Sequence, residues 1–169
     1  MSEHYDWLPD FESFGIHNGD WDRYLNVLYH VFEVDFIRTR PQFRGRPFRL
    51  KRHPETDNKA STFWHLISED DGSGEEADRI PDLRRCERIR WPRPGIENCD
   101  AEGVRVWPEL RGKDLRIHIY LEHEAYLIVL SDRREYLLLW TAYCVERSHQ
   151  QEKLLRKYEA WAKTQAQKD

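Results

Sequence analysis

Between Val104 and Val145 the apolar residues recur at every second position, and that period admits few architectures. Leu115, Ile117, Ile119 and Leu121 alternate with Arg116, His118 and Tyr120, so one side of this segment faces a core. Ala125 to Leu130 and Tyr136 to Val145 have the same strand character. The segments between them, Glu122 to Glu124 and Ser131 to Glu135, are too short for anything but antiparallel neighbours. Val104 to Trp107 adds a candidate first strand, so the expectation is an antiparallel β-meander of three to four strands.

The flanking segments change to helical period. From Asp20 to about Arg38, Trp21, Tyr24, Leu25, Leu28, Val31, Phe32 and Phe36 recur at steps of three and four, with Asn18 or Asp20 as cap. Phe48 and Leu50 alternate with Arg49 and Lys51 in a short strand-like piece, and His53 to Lys59 is turn chemistry. Ser61 to Ser68 is apolar but too short and dense to assign. Leu83, Cys86 and Ile89 predict a short arginine-faced helix from Pro81 to Trp91, with a proline at its start and Trp91 to Gly95 ending it. Glu146 to Thr164 closes the chain as a helix with Leu154, Leu155, Tyr158 and Trp161 on one face, lying across the sheet or running on as an arm. The fold class is therefore α+β, with N-terminal helices, the meander and a C-terminal helix in one domain. Its parts are an acidic arm (1–19), a helical and basic part (20–103), the sheet (104–145) and the closing helix (146–169).

Seven Trp, eight Tyr and seven Phe in 169 residues supply enough burying surface for one core. No run of eighteen apolar residues predicts a membrane span, and the acidic start is unlike a secretion signal. Cys86, Cys99 and Cys144 cannot all pair within the chain and lack a CxxC spacing, which fits a reducing, cytoplasmic setting without structural zinc.

The net charge of −4 conceals blocks of alternating sign. Met1 to Asp22 holds acids and no Lys or Arg. Arg38 to Pro54 carries Arg38, Arg40, Arg44, Arg46, Arg49, Lys51 and Arg52 with no acid. Glu69 to Asp82 is acidic apart from Arg79, and Arg84 to Arg93 is basic again apart from Glu87. Among the 27 basic residues arginine predominates, which favours planar, bidentate recognition of phosphate or carboxylate. Mutual neutralisation across the folded surface is the competing explanation of the blocks.

Three places carry candidate chemistry. His65 stands in an apolar segment, where an imidazole suits either proton transfer or a satisfied core hydrogen bond. Arg84, Arg85 and Arg88 could face a phosphate or pair with the acidic stretch before them. Strand alternation puts the hydroxyls of Thr141 and Tyr143 on one face and Trp140 and Ala142 on the other. In order, the run KASTFWHLISEDDGSGEEADRIPDLRRCERIRW, the apolar strands, YLLLWTAYCVE and HQQEKLLRKYEAW resemble small prophage and restriction-island proteins of the barnase, EndoU, colicin and RelE-like (BECR) ribonuclease superfamily. The resemblance covers about Phe48 to Trp161 and implies helices before a sheet of about four strands. It also implies metal-independent RNA cleavage by attack of the 2′-hydroxyl on the adjacent phosphate, and no cofactor.

Carried onto this chain, His65 serves as general base or acid, Arg85 and Arg88 stabilise charge, and Thr141 and Tyr143 donate to the phosphate. Arg46, Arg49 and Lys51 would track the RNA backbone, with Arg84 as a further substrate contact, and an antitoxin or inhibitor protein would be a partner. A second histidine in a catalytic context is missing, since His118 and His123 sit in no distinctive motif; Lys51 or Lys59 could serve instead. Two other classes compete: a non-catalytic RNA- or protein-binding module on the same fold, and a metal-dependent hydrolase using Asp70, Asp71, Glu75 and Glu76. The acids of Met1 to Asp22 are further expected to cover the basic stretch after Arg38.

Overall fold

The computed structural model describes residues 4–70, 72–75 and 78–169. Four strands, β4 (Val104–Arg111), β5 (Asp114–Leu121), β6 (Tyr126–Asp132) and β7 (Leu137–Cys144), form the antiparallel meander. A fifth, two-residue strand β1 (Phe48–Arg49) adds in parallel to β7, which makes a mixed sheet of order β1-β7-β6-β5-β4. The fifth member lies outside a three- to four-stranded meander because a parallel partner comes from a distant segment, and local alternation carries no trace of it. β2 (Ser68–Glu69) and β3 (Ile80–Pro81) make a separate hairpin.

Both faces of the sheet are covered. On one, Val104, Ile117, Ile119, Leu121, Tyr126, Ile128, Leu130, Leu137, Leu139 and Ala142 pack against the helices that precede the sheet. α1 (Trp21–Phe32) contributes its apolar stripe, Tyr24, Leu28, Val31 and Phe32, and runs on as a wider π-turn segment, Glu33–Arg38, that buries Phe36. The carboxylate of Asp20 caps α1 by accepting from the Arg23 amide at 3.1 Å. Asp20→Ala is expected to lower stability by about 1 kcal/mol, read as a reduced urea midpoint at unchanged m-value.

Ser61 to Ile67 is helix α2, short because Ser68 turns straight into β2. α3 (Leu83–Glu87) begins two residues after Pro81, which pairs in β3, and Asp82 supplies the cap. Trp91 to Gly95 does not end the helical region as expected. Pro92–Glu97 forms α4, since a proline in the first turn loses no intrahelical hydrogen bond. The arm is irregular apart from a 3₁₀ turn at Phe14–His17, and it packs on the body with Tyr5 and Leu8 buried. Among the described residues its acid that holds an arginine is Glu12, and the partner is Arg90 at 3.1 Å rather than a residue of the Arg38 to Arg52 stretch.

On the other face α5 (Ser148–Ala166) lies across the sheet. Leu154, Leu155, Tyr158 and Trp161 pack on Trp107, Tyr120, Leu127, Val129 and Val145. No helix among the described residues is long and apolar enough to cross a membrane.

Candidate functional site

The register shift between Val129 and Leu130 decides which side chains share a face. Leu130 pairs with Leu139 while Val129 pairs with Thr141, so Trp140 is the extra residue of a β-bulge. Unbroken alternation would put Thr141 and Tyr143 on the core side with Leu137 and Leu139. The bulge reverses this: Ala142 takes the core side, and Thr141 and Tyr143 turn to the face that carries α5. Trp140 packs on that second face too, so it does not share a side with Ala142.

Three cross-strand rows run over this face. Arg105, Tyr120, Leu127 and Tyr143 form the first, Trp107, His118, Val129 and Thr141 the second, and Glu109, Arg116, Ser131, Leu138 and Arg49 the third. The apolar side of α5 covers the first two rows. Along the β1 and β7 side, cations and aromatic rings interleave. The Arg49 guanidinium lies 4.6 Å from the Tyr136 centroid, and the Trp140 ring has Arg116 at 4.2 Å, the His65 ring at 5.7 Å and the Lys51 ammonium at 6.0 Å. Arg85 lies 5.2 Å from the Tyr143 centroid. Such pairs hold the rings in place and keep positive charge beside an aromatic surface. Burial pushes the Arg116 guanidinium below its usual range, against the opposing pull of Asp114 at 3.6 Å.

His65, Arg85, Thr141 and Tyr143 therefore converge. Arg85 Nη1 donates to the carbonyl oxygens of His65 (3.2 Å) and Ser68 (3.0 Å) and to the Thr141 hydroxyl (3.1 Å). The Thr141 hydroxyl donates in turn to the His65 carbonyl at 3.2 Å. These bonds tie the end of α2 to α3 and to β7, and so fix the position of the His65 backbone. His65 and Lys51 line one narrow cleft with Ser61, Thr62 and Trp140; its volume is about 10 Å³, room for a single water but not for a base.

Arg88 does not join this group. Its guanidinium lies 4.5 Å from the Phe11 centroid and 5.1 Å from that of Trp91, held by the N-terminal arm. Arg84 pairs with Glu146, and Arg46 is bound bidentately by Asp132 at 2.7 Å for each bond, which raises its own affinity for the proton and holds the carboxyl of Asp132 low. Of the basic stretch, Arg49 and Lys51 face the site. Arg116 and Trp140 were missed as site residues. Their signals were an arginine on the polar side of an apolar strand and a tryptophan beside two hydroxyl residues, and without the bulge neither points here.

His118 acquires a context that its sequence neighbourhood lacks. It is 3% exposed, stacked on Trp107 (5.1 Å, 13°) and 3.7 Å from Glu109, whose other oxygen accepts from Lys157 at 2.7 Å. Of the carboxylates weighed for metal chemistry, Asp70 accepts from the amides of Gly72 and Gly74 within its own turn, while Asp71 and Glu76 lie outside the described residues. The chain matches no protein-family model, no curated protein and no solved structure.

Proposed function

We propose that this protein binds single-stranded RNA across the cation and aromatic strip of β1 and β7 and cleaves it without a metal ion. The observation that carries the reading is that His65 and Lys51 share one cleft at the middle of that strip, beside Trp140. Aromatic rings interleaved with Arg and Lys suit unpaired bases and the phosphates between them.

In the reaction His65 takes the proton of a 2′-hydroxyl, the freed oxygen bonds to the adjacent phosphorus, and the bond from phosphorus to the 5′-oxygen breaks. That oxygen leaves with a proton supplied by Lys51 or by water, and the product is a 2′,3′-cyclic phosphate. Lys51 also places positive charge beside the phosphorane. Arg85 and Thr141 act as positioning residues through the His65 carbonyl, and Tyr143 offers a stacking ring. Kinship with the BECR ribonucleases, a toxin or phage-defence role and an antitoxin partner belong to the same proposal.

A second reading, RNA binding without cleavage, is favoured by one feature: Arg85 Nη1 already bonds three protein oxygens, which leaves it poorly placed to meet a phosphate. The deciding experiment incubates labelled single-stranded RNA and tRNA with the protein in chelator. Cleavage to cyclic phosphate ends, slowed about 100-fold in His65→Ala with RNA affinity retained, is the expected result. Intact RNA that binds with a steep salt slope establishes the second reading, and RNA that neither binds nor breaks overturns both.

A further inference from the structure

Arg116 stands apart from the other arginines around the strip. Arg46 is gripped by Asp132, Arg84 pairs with Glu146, and Arg85 Nη1 is shared among three protein oxygens. The Arg116 side chain is 11% exposed, yet its guanidinium makes no hydrogen bond among the described residues. Its Nε is sealed inside the protein, whereas the terminal nitrogens are not, and the carboxylate closest to them, the half-exposed Asp114, stays 3.6 Å away. Glu109, directly across β4, gives its carboxylate to Lys157 and faces His118 instead. The β6 neighbour in the same row, Ser131, carries no charge. Burial disfavours the Arg116 cation, and the positive charges of Arg111 and Arg133, both exposed, add to that penalty. Buried polar groups are normally paired, so a guanidinium kept in this condition calls for an acceptor.

The surroundings define that acceptor. The guanidinium lies over the Trp140 ring, 4.2 Å from its centroid, so its plane is held and its terminal nitrogens are presented as a fork. A fork of this kind matches two oxygens of one anionic group. The same indole has the His65 ring at 5.7 Å and the Lys51 ammonium at 6.0 Å, and Arg49 belongs to the same cross-strand row as Arg116. Arg49, Lys51, Arg111, Arg116 and Arg133 around the rings of Trp140 and Tyr136 suit a chain that repeats its charge and carries rings between the charges. RNA does both, and an acidic peptide supplies only the charge. We propose that Arg116 is the phosphate-gripping residue of the strip: its fork holds a phosphodiester of the bound RNA beside the His65 cleft, and Arg111 and Arg133 draw the strand toward it. The inference rests on the RNA reading and deepens it, since it names the contact that fixes the register of the strand against His65.

The test uses the full chain with an eight-nucleotide uridine RNA made uncleavable by 2′-O-methylation, its counterpart with uncharged methylphosphonate links, a glutamate octapeptide, and inorganic phosphate alone. The expected result is that the RNA shifts the Arg116 guanidinium resonances and that the uncharged counterpart and the peptide do not. Arg116→Lys, which keeps the charge and loses the fork, should weaken RNA binding about ten-fold at an unchanged salt slope. Arg116→Gln should weaken it further and lower the slope by about 0.7. Arg111→Gln combined with Arg133→Gln alters only exposed residues and should lower the slope by up to about 1.4, whereas Arg23→Gln, exposed on α1, leaves affinity and slope as they are. Thermal melts confirm that each variant folds, and if neither Arg116 variant does, the Arg111 and Arg133 pair decides by its slope. RNA binding to both Arg116 variants as tight as to the native protein overturns the subsite and leaves the RNA reading on Arg49 and Lys51. Arg116 resonances that move as far with phosphate alone or with the peptide as with RNA also overturn it, by marking a site for a free anion or an acidic partner. If the native protein binds no RNA at all, the RNA reading falls and the subsite with it.

Discussion

Arg85→Ala is expected to lose roughly 3 to 4 kcal/mol of stability, the largest effect predicted for any substitution in the site. The Arg85 side chain is 11% exposed, and its Nη1 satisfies the carbonyls of His65 and Ser68 and the hydroxyl of Thr141, with Glu69 and Asp82 at 3.5 and 3.8 Å. Truncation takes a charged donor from each carbonyl oxygen, which keeps one other donor (Thr141 Oγ1 on His65, Arg79 Nη2 on Ser68), and the lost hydrogen bonds to a charged group are worth about 1.5 to 3 kcal/mol each. It also strips α2, α3 and β7 of the group that joins them. Arg85→Lys should recover less than half of the loss, because one ammonium on a flexible stem cannot reproduce a planar fork held over Tyr143. Urea unfolding checks this. A midpoint within error of the native protein would show that the three bonds contribute nothing net, and Arg85 would then be free for a direct role with substrate.

Acid is expected to destabilise the protein well before ordinary carboxylates titrate, and the cause lies under α5. Burial pushes the His118 imidazole down to about 4, with the nearby Arg111, Lys157 and Arg116 charges adding to the fall and only Glu109 opposing it. The folded state thus keeps His118 neutral, while the unfolded chain protonates it near 6.5. Between these values the unfolded state binds more protons, so stability is complete above about pH 6.5 and declines as pH falls toward 4. The full difference corresponds to roughly 3 kcal/mol. Glu109 acts in the same direction: burial alone would raise its carboxyl, but the Lys157 hydrogen bond and neighbouring positive charge outweigh it, so protonating Glu109 in acid also favours unfolding. His118→Gln, which cannot take up the proton, should flatten the decline between pH 6.5 and 4 in urea titrations at successive pH values. An equal slope in both proteins would place the acid sensitivity elsewhere.

Much of the sheet was legible because each of its central strands is long enough for a period of two to show, and the same holds for the apolar stripe of α1. The charge blocks were legible as well, but their targets were not. Arg84, Arg85 and Arg88 lie within five residues and look alike in sequence, yet one pairs with Glu146, one ties α2 to β7, and one is held by Phe11 of the arm. His118 reads as the outward residue of a half-buried strand, and only α5, contributed from a segment thirty residues later, makes that side an interior.

What the sequence by itself determined is the first amphipathic helix, the antiparallel meander and the presence of a closing helix after it, all of which follow from side-chain period and connection length. The tertiary structure alone decided the faces. One extra residue at Trp140 inverts the side on which Thr141 and Tyr143 emerge, because strand side chains alternate and a single-residue slip exchanges core for surface. The parallel seat of β1 beside β7 then brings Arg49 and Lys51 to that same face. Both depend on pairing between segments far apart in the chain, which no local pattern of residues records.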